Sequence, residues 1–451
     1  MIAAGEDLPA ALAGAAADGA ARATGRPAVL LAGSGAALNL LLPALVVADA
    51  DSVPLIVLER GGSAADLESG RDLPGGLPDA LRLTEAFVGW NTRVDRPEDL
   101  PLVIEAAFGD LARRRPRPLL IEIADEALAP WVEAAGRGQG PDLSPKVIPL
   151  QRPGDRSPAD PRAGALEEPG EPIDRQWLEQ VAAALVRARR PAIVAGGGAV
   201  AAGDALLRLA ERIAAPVFMT LSGRGLLPGG HPLAFDGLYG LNAPEARRWL
   251  RDADVVLVVG TTLSPVEHGD LDLAGRVIHI DRDYERLGRN FPVWMGLAAD
   301  SRHALDSLDR KVAAELEQPR GPEAYLGATG PEERRRAVNR LREELDPPDV
   351  WTAGLDAQLT AADPDALSVT EASALPVAEP RSLLLPLRLG TPGYALAAAW
   401  GAAKATGRPV RAIVSPAGFW NGWPVLRAAV RQGVPLEALV RLGIVYTCHA
   451  A

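Results

Sequence analysis

Residues whose types and spacing could support chemistry stand mainly at the ends of apolar runs. Three consecutive glycines, Gly196, Gly197 and Gly198, follow the apolar run 191–194 and precede an amphipathic helix. A glycine-rich turn at the start of a helix offers backbone N–H groups to a phosphate. The glycines lack the GxGxxG spacing of dinucleotide-binding folds. The turn therefore predicts an anion-binding position without specifying the ligand.

Histidine and cysteine give weaker signals. His279 and Asp281 lie on one face of a strand end, because side chains alternate with a period of two. The carboxyl edge of a parallel sheet is where ligands bind, and we interpret the pair as a structural or ribose-contacting element. Cys448 and His449 are adjacent, so they cannot face each other, and we interpret them as a chance pairing. The other histidines are too few and too scattered to predict a metal site.

Strands and helices in alternation must position these residues. The order strand, glycine turn, helix, strand over 190–220 is one βαβ unit, and further apolar runs follow at 253–259 and 276–280. Continuous apolar strands between helices predict a parallel sheet covered on both faces. The predicted elements of the first third are a helix at 8–23 ended by Gly25, a strand at 28–32, a helix at 36–48, a strand at 51–58, a helix at 99–113 and a strand at 119–123.

Composition excludes several classes of function. A chain of 451 residues is long enough for two to four domains. The net charge of −11 argues against a nucleic-acid surface. A single cysteine rules out a disulfide framework, and the apolar region 36–58 is interrupted by polar residues and proline. We therefore predict a cytoplasmic protein that binds neither nucleic acid nor membrane.

Several segments resemble one known family. AGGG at 195–198, TLSGRGLLPGGHPL at 220–233 and RVIHIDRD at 276–283 resemble the middle domain of thiamine-diphosphate enzymes of the acetolactate synthase and 2-oxoacid decarboxylase type. ADGAARATGRPAV at 17–29 is similar to the pyrimidine-binding domain of that family, and the segment 387–414 to its diphosphate-binding domain. The resemblance implies an α/β protein with three Rossmann-like parallel-sheet domains, the first and last shortened.

The resemblance also predicts the boundaries between domains. The proline- and charge-rich stretch 137–174 cannot build a core, and the charged run 311–347 favours a solvated helix and a loop. The predicted domains are 1–136, pyrimidine-binding-like; 137–174, a linker; 175–310, central and FAD-binding-like; 311–347, a charged connector; and 348–451, diphosphate-binding-like.

The cofactor positions implied by the resemblance are altered. The glutamate that protonates the aminopyrimidine ring in the family falls on Ala10, and Glu6 lies one helical turn away as a weak substitute. The metal-binding aspartate falls on Pro416, and the asparagine pair falls on Leu442 and Gly443. Mg²⁺ requires hard oxygen ligands, so we expect no conventional binding of Mg²⁺–thiamine diphosphate and no metal site. The residual positions of the diphosphate site are Gly390, Thr391, Ser415, Gly418 and Asn421.

A flavin is a second candidate cofactor, because acetolactate synthases hold FAD in the middle domain. Many relatives keep this domain with no nucleotide in it, so the resemblance does not decide the question. The positions that match the flavin pocket are Gly196, Gly197, Gly198, Thr220, Leu221, Gly260, Thr261 and Asp281.

Three functions stay open. We favour a diverged acetolactate-synthase-like protein, repurposed as an enzyme that acts on a small 2-oxo acid-like substrate without conventional Mg²⁺–thiamine diphosphate. The alternatives are a non-catalytic partner or regulatory subunit, and an active lyase or carboligase with atypical cofactor anchoring. The resemblance implies a homodimer or homotetramer, with a related subunit as another candidate partner. Aromatic residues are predicted to fill the volume of the missing cofactor: Tyr394, Trp400, Trp420 and Trp423.

Overall fold

The chain forms two compact units. One contains 1–160, 364–373 and 383–451, and the other contains 161–363 and 374–382. No helix within the described ranges combines the length and apolarity needed to cross a membrane. The computed structural model describes residues 2–3, 8–63, 77, 79–136, 173–228, 231–235, 243–265, 271–317, 331–344, 366–370, 383–384 and 391–440.

The first part of the chain forms a five-stranded parallel sheet with the strand order β1-β2-β3-β5-β4. Helix α1 ends as the sequence predicts, because Gly25 adopts the left-handed conformation (φ 67°) and donates its N–H to Ala21 O. The elements are β1 (Ile2–Ala3), α1 (Ala10–Thr24), β2 (Ala28–Ala32), α2 (Gly35–Asp51), β3 (Leu55–Arg60), α3 (Ala80–Thr84), β4 (Asn91–Val94), α4 (Asp99–Arg113), β5 (Leu119–Ile123) and α5 (Asp125–Gly136).

The central part forms a six-stranded parallel sheet with the order β11-β10-β9-β6-β7-β8. Strands β6 and β9 lie in its middle and are buried along their whole length, which confirms the predicted doubly covered sheet. The elements are α6 (Arg175–Arg187), β6 (Pro191–Ala195), α7 (Gly203–Ile213), β7 (Val217–Met219), β8 (Ala234–Phe235), α8 (Ala243–Asp252), β9 (Val255–Val259), β10 (Arg276–Asp281), β11 (Met295–Ala298), α9 (Ser301–Glu317) and α10 (Pro331–Glu344).

The last part forms a four-stranded parallel sheet with the order β13-β12-β14-β15. Its long helix is rich in alanine and buried along most of its length. The elements are β12 (Leu367–Thr370), β13 (Leu383–Leu384), α11 (Tyr394–Thr406), β14 (Val410–Val414), α12 (Pro416–Asn421), α13 (Trp423–Gln432) and β15 (Leu436–Val440).

Helices α1 and α11 cross in backbone contact and join the first and last sheets into one unit with a common core. A Cβ at Gly19 would lie 2.5 Å from Ala398 Cα, and a Cβ at Gly401 would lie 2.5 Å from Ala16 C. Only glycine permits such a close approach of two backbones, and the flanking alanines have side chains small enough to allow it.

The charged connector is not simply a solvated helix. Helix α10 places Arg334, Val338 and Leu341 on one face at the i, i+4, i+7 spacing, and all three are buried against the central domain. The guanidinium of Arg334 donates to Ile213 O, Val186 O and Ala188 O, where helices α7 and α6 end. The predicted solvated helix was therefore wrong for this face. The many arginines of the segment made it look uniformly polar, although its apolar residues recur at helical spacing.

Candidate functional site

Three loops meet at the carboxyl edge of the central sheet, where the sequence predicts a ligand. They follow β6, β7 and β9. A Cβ at Gly196 would lie 2.5 Å from Thr261 Cβ, and one at Gly198 would lie 2.8 Å from Gly260 Cα. Gly260 also has a positive φ of 62°. The candidate flavin residues of these loops are therefore close together, and their glycines serve the contact between loops.

The N–H groups of the glycine turn are engaged within the protein. Gly197 donates to the hydroxyl of Ser222, and Gly198 donates to Gly260 O. Gly196 and Ala199 donate to Val259 O and Gly196 O, respectively. A phosphate could bind these four amides only by displacing existing hydrogen bonds. The bonding of these residues therefore gives no support to an anion-binding turn or to a bound flavin, and both stay predictions.

The remaining candidate flavin positions also close loops. Thr220 is buried and its hydroxyl lies 3.1 Å from Ser222 Oγ. The hydroxyl of Thr261 accepts the N–H of Leu263 at 3.2 Å, and Asp281 Oδ1 accepts the N–H of Asp283 at 2.9 Å. Leu221 is half-buried on the short 3₁₀ turn that follows β7.

His279 on strand β10 is bonded to the loop that follows β9 and to the loop that follows β10. Its Nε2 lies 3.0 Å from Thr261 O, and Gly288 N–H donates to its Nδ1 at 3.2 Å. Burial lowers the pKa of His279 to about 4, with a smaller opposing contribution from the bond to Thr261. The neutral ring thus donates from Nε2 and accepts at Nδ1. These bonds confirm the structural interpretation of His279.

The segment that aligns with the family's metal motif forms a short helix. Ser415 is the N-cap of α12, its hydroxyl accepts the N–H of Gly418 at 3.0 Å, and Pro416 occupies the first turn. The turn at Thr391 packs onto this helix, since a Cβ at Gly393 would lie 3.2 Å from Asn421 Cβ. The two segments expected to hold the diphosphate are thus in van der Waals contact.

The residues at the aligned aspartate position offer no side-chain ligand for Mg²⁺. Pro416 has no side-chain oxygen and no N–H, and Ala417 has no side-chain ligand. Within the described ranges, no three His, Cys, Asp or Glu side chains are grouped to hold a metal ion. Six residues that the sequence singles out lie outside the described residues: Glu6, Gly390, Leu442, Gly443, Cys448 and His449.

The four aromatic residues of the last domain divide into two pairs. Tyr394 and Trp400 are buried in the core on α11. Trp420 is 70% exposed and Trp423 is 44% exposed, and both stand around Phe419 with ring centroids 5.6–6.4 Å apart. The prediction that all four fill a vacated cofactor volume was wrong for Trp420 and Trp423.

A buried polar network joins α1, α2 and α11. The hydroxyl of Tyr394 donates to Asp18, which also accepts from Arg22 Nε at 2.5 Å. Arg22 Nη2 donates to Asp51 at 2.8 Å. Burial raises the pKa of Tyr394 well above its usual value, so the phenol stays protonated. Asp18 of the ADG motif is therefore a structural anchor for the helix contact.

Sequence reasoning missed a row of charged residues in the first sheet. Glu59 on β3 is in register with Glu122 on β5, which is in register with Arg93 on β4. Both glutamates are buried. Their signal in the sequence is a carboxylate on an otherwise apolar strand, LIVLER at 55–60 and LLIEI at 119–123.

The fold and these sites define a class of protein with three parallel α/β sheets. A crystal structure from Mycobacterium smegmatis, named as a candidate thiamin diphosphate-dependent enzyme, matches with a TM-score of 0.70 and 23% sequence identity. The match covers 96% of this chain and 80% of that one. The likeness shows the fold alone.

The chain belongs to the thiamine pyrophosphate enzyme family. The family's N-terminal TPP binding domain matches residues 11–80 and its central domain matches residues 178–308. A protein of Pseudomonas aeruginosa named as a probable 2-ketoarginine decarboxylase is 32% identical over 433 residues, which cover 94% of this chain and 72% of that protein.

Acetolactate synthase large subunits are further relatives. The probable subunit of Methanocaldococcus jannaschii is 30% identical over 67% of this chain and 48% of its own length. The isozyme 1 subunit of Escherichia coli is 28% identical over 86% of this chain and 65% of its own length. The matched part of the chain thus spans between about half and three quarters of the length of these relatives.

Proposed function

We propose that this chain is a diverged member of the family that acts on a small 2-oxo acid-like substrate without anchoring Mg²⁺–thiamine diphosphate in the usual way. The substrate class is inferred from the relatives, whose names refer to 2-ketoarginine and acetolactate. The altered cofactor binding is inferred from the residues of the chain itself.

The observation that carries the proposal is the helix α12. The relevant turn after β14 begins with an N-capping serine and a proline, and it packs against the turn at Gly393. A diphosphate brings two to three negative charges into a partly buried site, and leaving them without a cation is costly. No residue of 415–418 supplies a carboxylate to recruit that cation.

Titration calorimetry with thiamine diphosphate and Mg²⁺ tests the proposal directly. The Escherichia coli acetolactate synthase isozyme 1 large subunit, which is 28% identical to this chain, is the positive control. We expect saturable heat from the control and none from this protein at the same concentrations. Saturable, Mg²⁺-dependent binding by the wild-type chain would refute the proposal.

A variant can test whether the missing carboxylate is the cause. The double substitution Pro416→Asp with Ala417→Gly supplies an anionic ligand at the aligned position, whereas Pro416→Ala removes the proline without adding one. We expect a Mg²⁺-dependent rise in melting temperature for the first variant only. Identical responses of the two variants would show that the missing carboxylate at position 416 does not determine cofactor binding.

Substrate class is tested separately from the cofactor. A thermal-shift screen without thiamine diphosphate would compare pyruvate, 2-oxobutyrate and 2-oxo-5-guanidinopentanoate with the matching 2-hydroxy acids. We expect stabilisation by at least one 2-oxo acid and not by its hydroxy counterpart. Stabilisation by none of them would favour the non-catalytic alternative.

An active enzyme with atypical cofactor anchoring is the second candidate. The match of the TPP binding domain to residues 11–80 favours it. The calorimetric titration separates it from the first proposal, because this candidate requires cofactor binding by the wild-type chain.

A further inference from the structure

A row of charged side chains crosses the first sheet near its carboxyl edge. Ala32, Glu59, Glu122 and Arg93 are register partners on four adjacent parallel strands. Register partners in a parallel sheet point to the same face. On β3, Leu55 lies on the same face as Glu59, four residues earlier, and packs in the hydrophobic core. The apolar part of this face therefore ends at the charged row.

Arg93 is the single cation of the row, and its donors are committed elsewhere. Nη1 pairs with Glu122, Nε donates to Asp95 Oδ1 at 2.8 Å, and Nη2 donates to Gly62 O at 2.6 Å. Glu122, Asp95 and Gly62 O therefore occupy the donors of this guanidinium, and none of these bonds reaches Glu59.

Glu59 is the carboxyl group left over. It is only 3% exposed, and its Oε2 has no hydrogen-bond partner among the described residues. An ionised carboxylate in such surroundings is costly unless a proton or a cation accompanies it. Burial and then the charge of Glu122 raise the pKa of Glu59 to about 8, and Arg93 offsets part of this rise. At neutral pH a proton occupies the place that a cation could take.

We propose that Glu59 and Glu122 form a binding site for one guanidinium group of a small ligand, which takes the place of the proton on Glu59. Neighbouring strands are about 4.8 Å apart, and a planar guanidinium with several N–H donors can bridge two carboxyl groups at that spacing. The neighbour on the other side, Ala32, carries no charge that would compete. The site does not depend on the proposed function, because it involves neither α12 nor thiamine diphosphate.

Proton release distinguishes this site from a merely structural glutamate. At pH 7, calorimetry with ethylguanidinium in two buffers of different ionisation enthalpy should report about one proton released per ligand bound. Because Glu59 must lose its proton, affinity should rise about tenfold from pH 6 to pH 7 and level off above pH 8. Ethylurea has nearly the same shape without the charge and should not bind.

Two variants complete the test. Glu59→Gln resembles the protonated glutamate, so it should fold normally at pH 7 and should lose the ligand and the proton release. Glu105→Gln changes an exposed residue of α4 and should bind like the wild type. Absence of saturable binding by the wild type, or unchanged binding by Glu59→Gln, would overturn the site. Ethylammonium binding as tightly as ethylguanidinium would overturn the guanidinium assignment.

Discussion

Substituting Gly401 with alanine tests the helix contact that holds the first unit together. In most helices this change is favourable, by about 1 kcal/mol, because alanine loses less backbone entropy than glycine. Here the new Cβ would lie 2.5 Å from the backbone carbon of Ala16, with the carbonyl oxygen nearer still. Ordinary van der Waals contact begins at 3.4 Å, so the two backbones must separate by more than roughly 0.9 Å, because the carbonyl oxygen is closer than the carbon.

The expected magnitude follows from these opposing effects. Overpacking a well-packed core costs about 3 kcal/mol when no flexible side chain can yield. Subtracting the gain in helix propensity leaves a net destabilisation of about 2 kcal/mol. For a unit of this size, that corresponds to a fall of roughly 6 °C in the melting temperature of the first unit.

A matched control is available on another helix of the same unit. Gly109 lies within α4, and a Cβ there would meet no atom within 4 Å. Gly109→Ala should therefore raise the melting temperature by roughly 3 °C. Calorimetric melting, with hydrogen exchange of peptides from α1 and α11, would measure both variants. Equal stabilisation by the two substitutions would refute the close crossing of these helices.

Three further predictions concern buried polar groups. Because burial lowers the pKa of His279 to about 4, its contribution to the free energy of unfolding is complete above about pH 6.5 and is lost as the pH falls towards 4. The contribution amounts to about 3 kcal/mol. Urea titrations at pH 7 and pH 4.5 should show this loss of stability in the wild type and a smaller loss in His279→Gln. Arg334→Met should lower stability by about 3 kcal/mol because three backbone carbonyls lose their donor, whereas Arg336→Met on the exposed face of the same helix should change the melting temperature little; equal effects would contradict the burial of Arg334. Tyr394→Phe should cost about 2 kcal/mol because Asp18 loses a buried donor, and an unchanged denaturation midpoint would contradict that bond.

Much of the secondary structure was accessible from the sequence. The predicted strands at 28–32 and 119–123 and the helix at 99–113 have the bounds that the structure gives to β2, β5 and α4. Such elements are encoded locally, by continuous apolar runs, helix-forming residues and a C-capping glycine. The family resemblance rested on other short segments of local sequence and is confirmed by the matches at 11–80 and 178–308.

The glycine turn shows the limit of reasoning from local sequence. Glycine at 196–198 predicted exposed amides, but the amides bond to Ser222 and to the loop after β9. Whether an amide is free depends on which loops lie across the sheet edge, and the partners are more than 20 residues away in sequence. The pattern determined a turn and could not determine what the turn contacts.

The sequence by itself determined an α/β chain of the thiamine-diphosphate enzyme type, with a proline at position 416 in place of a carboxylate. It could do so because composition, periodicity and local motifs are properties of neighbouring residues. Only the tertiary structure decided that Arg334 is buried, that Trp420 is exposed and that Glu59 lies beside Glu122. These facts depend on strand register and on helix packing between distant segments. Burial then sets the energy of each charge, and for that reason the carboxyl row became visible only in the folded chain.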